Sequence, residues 1–193
     1  MNLGSVFVAS AETNPGLAGK TLSQIAVNQE VSVEEALLRV LEGTSAQAIV
    51  FDRNLSEDVM LSLLKHPLGL VSTDGAGYSF AYSVTQGLVH PRCFGTMPRF
   101  LSLVREKKLM SWSEAIKKIT SRPADKMNLP NRGRIAVSTA ADIVVFDPEK
   151  IGSRATYENP YVGADGINFV LVNGRVAFSA AEETRVNAGK VLK

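Results

Sequence analysis

The order of elements in this 193-residue chain predicts an α/β fold, and three observations carry that expectation. Short apolar runs of strand type, Ser5 to Ser10, Ala48-Ile49-Val50-Phe51 and Leu68 to Ser72, alternate with stretches of helical period, as parallel βαβ units do. With 45% hydrophobic side chains the chain can bury a real core, which argues against disorder. From Pro123 onward the character shifts to strands, so a small β portion is expected to close the chain. Parallel strands must be covered on both faces; a barrel and an open doubly wound sheet both achieve this, and periodicity does not choose between them.

Taken in order, Ser5 to Ser10 reads as a buried strand. After a polar link, Leu22 to Ala26 and Val33 to Glu42 read as helix. Ser32-x-x-Glu35 leads the second with capping-box spacing, and Gly43 closes it. Ser56-Glu57-Asp58 starts a helix through Leu64. Pro98 to Glu106 and Ser113 to Ser121 supply two more. Arg122-Pro123 is expected to stop the latter, because proline lacks an N–H and clashes with the preceding turn. Gly133-Arg134-Ile135-Ala136, Ala141 to Phe146 and Gly166 to Asn173 read as strands, and Val172-Asn173-Gly174-Arg175-Val176 carries the Asn-Gly signal of a tight hairpin.

Composition excludes several classes of function. The 21 basic and 19 acidic residues leave a net charge of +2 without a sustained basic run, so no nucleic-acid partner is expected. The single cysteine, Cys93, cannot form an internal disulfide and fits a reducing cytoplasm. The N-terminal residues lack the basic and apolar regions of a signal peptide. No run approaches the ~18 apolar residues of a membrane span, so no membrane partner is expected.

The chemistry concentrates between Gly69 and Arg99. There Gly69-Leu70-Val71-Ser72 leads to Thr73-Asp74-Gly75, and a loop follows with His90-Pro91-Arg92-Cys93-Phe94-Gly95-Thr96-Met97-Pro98-Arg99. An acid at a strand end followed by glycine is well placed for catalysis, because the strand fixes the carboxylate and glycine lets the backbone turn away. Asp-Gly is also a common turn pair, so the tripeptide alone is more often a turn acid or helix cap, and it is the neighbouring motif that favours catalysis. Arg92 can offer two parallel hydrogen bonds to a carboxylate. A lone loop histidine such as His90 is more often structural. Cys93 has no His or Asn arrangement that would make it a nucleophile.

With these residues, Arg105-Glu106, Arg132-Gly133-Arg134-Ile135-Ala136 and Ala141-Asp142-Ile143-Val144-Val145-Phe146-Asp147-Pro148 complete an order that resembles the C-terminal part of the N-acyl-D-amino-acid deacylases (D-aminoacylases) of the amidohydrolase superfamily. The resemblance covers nearly the whole chain from about Gly19. It implies the C-terminal part of a (β/α)8 amidohydrolase barrel followed by strands of a small β-sandwich. On that reading residues 1–122 are the last βα units with trailing helices, and 123–193 the β-sandwich portion. A complete barrel takes roughly 250 residues, so the chain is expected to be a portion of such an enzyme.

The resemblance also implies roles. Asp74 would be the catalytic general base that takes a proton from a metal-activated water and passes it to the leaving amine. Arg92 would hold the carboxylate of a small N-acyl amino acid substrate. His90 would steady Arg92 or line the pocket. The sequence has Val71-Ser72-Thr73-Asp74-Gly75 where Gly-Ser-Asp-Gly is commoner, which leaves the acid in place. The family's metal ligands lie in an early His-x-His and on middle strands, whereas only His66 and His90 occur here. Zinc is therefore expected for the complete enzyme and no metal for this chain alone. Asp142, Asp147, His66 and the Arg132-Gly133-Arg134 turn are expected to be structural.

Two other readings stand beside this one. A cyclic amidase of the dihydroorotase or hydantoinase type is the enzymatic alternative. The other is a non-catalytic fragment, or half of a split enzyme, whose incomplete barrel needs a companion chain or self-association to cover it. An independent α/β binding domain ranks last.

Overall fold

The computed structural model describes residues 2–84, 87–181, 184 and 186–192. The chain divides into two compact units. The first takes in the chain up to Glu57, then Asp74–Phe94 and Ala155–Val162; the second takes in Asp58–Thr73, Gly95–Arg154 and the chain from Gly163.

The first unit is built on three strands, β1 (Phe7–Ala11), β2 (Lys20–Thr21) and β3 (Ala48–Phe51), with α1 (Leu22–Asn28) and α2 (Val33–Gly43) between the last two. The sheet order is β2-β1-β3, and both pairings are antiparallel. The parallel βαβ expectation therefore needs correction here, and β2 is the reason. Two residues are too few to show a period, yet β2 reverses the chain once. Strands β2 and β3 consequently run parallel to each other on either side of β1, and the α1–α2 pair is their crossover.

Burial follows sequence spacing. Leu22, Ile25 and Ala26 of α1 and Ala36 and Val40 of α2 pack with Val8 and Ala11 of β1, the i, i+3, i+4 stripe of a helix facing a sheet. The complete capping box lies at Thr21, whose hydroxyl accepts from Gln24 N while the Gln24 side chain accepts from Thr21 N. Each such cap contributes about 1 kcal/mol. Ser32 accepts from Glu35 N at 3.1 Å, but the Glu35 carboxylate turns to Arg39 at 3.0 Å, so the expected box is half formed.

In the second unit α3 (Glu57–Lys65, from Asp58), α4 (Arg92–Lys107, from Gly95), α5 (Trp112–Ile119) and α6 (Ser121–Lys126) precede β4 (Ile143–Phe146), β5 (Gly152–Ser153), β6 (Ala164–Asp165), β7 (Ile167–Val172) and β8 (Arg175–Ser179). An antiparallel sheet has the order β4-β7-β8, and β5 pairs with β6. Phe100, Leu101, Val104, Ala115 and Ile151 form the core, with Trp112, Phe146 and Ile167 against them. Arg105 Nη1 donates to the carbonyls of Pro148, Glu149 and Ile151 at 3.2, 2.9 and 3.0 Å, which ties the turn after β4 to α4.

Four further expectations change. Leu68 to Ser72 is not a strand. A strand forms only when a neighbour takes its N–H and C=O groups; here the carbonyls of His66 and Gly69 accept instead from Lys118 Nζ, at 2.5 and 2.8 Å. Helix α4 begins at Arg92 rather than Pro98, so the whole Arg92–Arg99 run is helical with proline inside it. Pro123 does not end helical structure but sits in the first turn of α6, where its missing N–H would have had no intrahelical partner. Gly133 to Ala136 is irregular; Gly133 has φ +73° and lies so close to the Thr120 carbonyl that a Cβ would come within 2.6 Å of its oxygen.

The hairpin forms as expected, with Asn173 at φ 48° and Gly174 at φ 79°, the paired positive values of a type I′ turn. Asp142 secures it by accepting from Asn173 N at 2.8 Å and pairing with Arg132. The Asn173 backbone N–H, then the Arg132 side chain, holds the Asp142 carboxyl below its ordinary value of 3.8. A depressed folded-state value contributes stability that is present above the unfolded value and lost as pH falls through the folded one. We therefore expect the β7–β8 hairpin to loosen below pH ~4, and Asp142→Asn to remove that acid dependence in amide-exchange measurements.

Candidate active site

The site begins with backbone pinned to β1. Leu88 N donates to Ala9 O at 2.9 Å. Gly87 lies so close that an added Cβ would come within 2.5 Å of Ser10 Cβ, so only glycine fits without a shift. From there the chain runs through His90 and Pro91 into α4, placing Arg92 on its first helical residue.

Asp74 meets Arg92 directly: Asp74 Oδ2 lies 3.1 Å from Arg92 Nη2, with side-chain exposures of 87% and 44%. The local backbone differs from the expected turn at glycine. Asp74 itself occupies the left-handed region at φ 44°, which aspartate tolerates better than most residues. Gly75 has a different purpose. A Cβ there would sit 3.1 Å from Cys93 Cα and 3.2 Å from its sulfur, so glycine permits close passage against the start of α4. Cys93 is a free, half-buried thiol.

His90 is held from both sides of its ring. Nδ1 accepts from Arg92 N at 3.1 Å, and Nε2 lies 3.2 Å from the Tyr157 hydroxyl. Phe51, from β3, meets the imidazole edge-on with centroids 5.4 Å apart. Burial, and then the positive charge of Arg92, lower the His90 pKa below its ordinary 6.5. A neutral imidazole whose Nδ1 accepts an N–H carries its proton on Nε2, which then donates to Tyr157.

Thus Asp74, Arg92 and His90 gather in one unit, while His66 lies after α3, its Nδ1 accepting from Leu68 N at 3.3 Å. Sequence reasoning missed Phe51 and Tyr157. Tyr157 is 67 positions from His90 in a stretch without periodicity, and nothing local marks it. A carboxylate, a guanidinium with five donors and a neutral imidazole can together bind a carboxylate-bearing molecule and carry a proton. Among the described residues no three His, Cys, Asp or Glu side chains come together as a set that could hold a metal ion, and no helix is long and apolar enough to cross a membrane.

Known proteins resemble this chain in sequence and in fold. The chain is 32% identical to an N-acyl-D-glutamate deacylase of Alcaligenes xylosoxydans xylosoxydans over 93% of its length. It is 30% identical to a D-aminoacylase of the same organism over 98%. It spans only 34% and 37% of those relatives, about a third of their length. A solved N-acyl-D-glutamate deacylase from Bordetella bronchiseptica, complexed with zinc and a phosphonate inhibitor, matches 92% of the chain and 35% of its own, with a TM-score of 0.74 and 29% identity. A solved D-aminoacylase matches 96% of the chain and 37% of its own, with a TM-score of 0.80 and 29% identity. These relatives support the α/β barrel-fragment fold class read from the motif order. Residues 33–178 match the model of the Amidohydrolase family, and with the relatives and the fold in agreement the chain belongs to that family.

Proposed function

We propose that this chain is the C-terminal portion of a zinc-dependent hydrolase that cleaves the amide of N-acyl-D-amino acids, with Asp74 as general acid/base and Arg92 as carboxylate clamp. The observation that carries the proposal is the 3.1 Å contact between these two side chains, which puts a carboxylate and a guanidinium within one substrate's reach. Guanidinium donors outnumber what one carboxylate uses, so Arg92 can take the substrate's carboxylate beside Asp74. Residues 1–122 contribute the last barrel units on this proposal, and 123–193 the β-sandwich portion. A cytoplasmic location belongs to the same reading.

The described residues offer no donor set for zinc; when bound, the metal would polarise the amide and activate water. The complete site draws on residues beyond these, carried in the same polypeptide, by a companion chain or by a second copy.

The test joins this chain to the remaining two thirds of a D-aminoacylase and measures hydrolysis of N-acetyl-D-methionine and N-acetyl-D-glutamate. D-selective turnover is expected. Preference for a cyclic imide, which has no free carboxylate for Arg92, overturns the proposal in favour of a cyclic amidase. In the same assembly Arg92→Lys should raise KM about 10- to 100-fold, because the two-pronged charge-assisted contact becomes a single point charge, with kcat changed little.

A further inference from the structure

We propose that Tyr157 is a positioning residue for the carboxylate clamp: its hydroxyl fixes the imidazole of His90, so that Nδ1 faces the backbone N–H of Arg92 and the first turn of α4 presents the guanidinium beside Asp74. Its functional meaning rests on the deacylase reading of the site, whereas the geometry does not.

Each link is short. Tyr157 Oη lies 3.2 Å from His90 Nε2, Arg92 N donates to His90 Nδ1 at 3.1 Å, and Arg92 Nη2 reaches Asp74 Oδ2 at 3.1 Å. The ring is also packed. Tyr157 crosses the imidazole at 80° with centroids 5.1 Å apart, and Phe51 lies 5.4 Å from both rings. An imidazole with both nitrogens engaged and aromatic neighbours on two sides has one favoured orientation.

That orientation matters because a protonated Nδ1 would point a hydrogen at the Arg92 N–H. Burial and the Arg92 charge both favour the neutral ring, and the Arg92 N–H donated to Nδ1 selects the tautomer in which that nitrogen accepts. The segment carrying Tyr157 also grips the other end of the same loop, since Tyr161 Oη donates to Gly87 O at 3.0 Å. Residues Ala155–Val162 therefore hold the Gly87–Arg92 stretch at both ends. The guanidinium's place depends on that backbone, and small misplacements of a binding group are costly.

The experiment uses the full chain, ¹⁵N-labelled, with His66→Gln leaving a single imidazole. The expected spectrum has an unprotonated Nδ1 and a protonated Nε2. Tyr157→Phe, which removes only the hydroxyl, should mix the tautomers and reduce exchange protection of the Arg92 amide about tenfold, while amides later in α4 keep theirs. Tyr161→Phe, which loses the bond to Gly87 but not the one to His90, should leave the tautomer unchanged. A wild-type imidazole protonated on Nδ1 overturns the proposal, and so does a Tyr157→Phe chain with unchanged tautomer and Arg92 protection. In the assembled enzyme Tyr157→Phe should raise KM for N-acetyl-D-glutamate with kcat little changed; an effect on kcat alone overturns the positioning role. The imidazole measurements contain no substrate, so a deacylase reading that failed at Asp74 would leave them standing.

Discussion

Asp74→Asn, in the enzyme assembled around this chain, is expected to lower kcat roughly 100- to 10,000-fold, the range general acid–base catalysis supplies, with KM little changed. The amide keeps the volume and can still accept a hydrogen bond from Arg92, so the loop and the clamp should persist. What it cannot do is take a proton from water and return it to the leaving amine. The variant thus separates proton transfer from substrate binding, and steady-state kinetics on N-acetyl-D-methionine reads the difference. Turnover equal to the parent's would remove Asp74 from the chemistry. The left-handed backbone at Asp74, φ 44°, invites a companion comparison. Asparagine also tolerates that region, so Asp74→Asn should melt with the parent, whereas a β-branched residue there should not.

The largest effect on stability is expected from Lys118→Met. Lys118 is only 2% exposed, and its ammonium serves the carbonyls of His66 and Gly69. Burial, and then the charge of Arg122, pull its pKa below the ordinary lysine value, so the charge is kept inside at a cost that those two bonds offset. Methionine fills similar space but donates nothing. The His66 carbonyl would keep the Gly69 N–H at 3.0 Å, but the Gly69 carbonyl would lose its lysine donor, and at about 1–3 kcal/mol for an unsatisfied group the loss should be about 1–3 kcal/mol. A urea midpoint shifted by that much is the expected result; an unchanged midpoint would mean that water replaces the ammonium freely.

How legible all this was depended on how local each signal is. The Asn173-Gly174 hairpin, the α2 stripe and the Asp74…Arg92 motif are written in neighbouring residues or in a fixed order, and they could be read directly. The antiparallel sheet could not, because its direction turns on Lys20–Thr21, two residues with no period of their own. The stretch from Leu68 to Ser72 has a strand's composition but lacks a ladder, since pairing is decided by what lies alongside. Lys118 left a faint mark, a charge three positions from buried Ala115 on the apolar side of α5. Tyr157 left none, for its part in the site depends on a contact 67 positions away.

The first unit is assembled from three separated stretches of chain, the last of them Ala155–Val162. Such a body cannot close from its N-terminal portion alone. During synthesis β1, α1 and α2 can pack early, but His90 acquires its tyrosine only after the intervening residues of the second unit have been made. Loops that long are slow to close because the entropy is lost before the contact is gained. The contacts around His90 are therefore among the last features of the molecule to mature, and a ribosome-bound chain halted before Ala155 would carry Asp74 and Arg92 without Tyr157 and Tyr161 beside them.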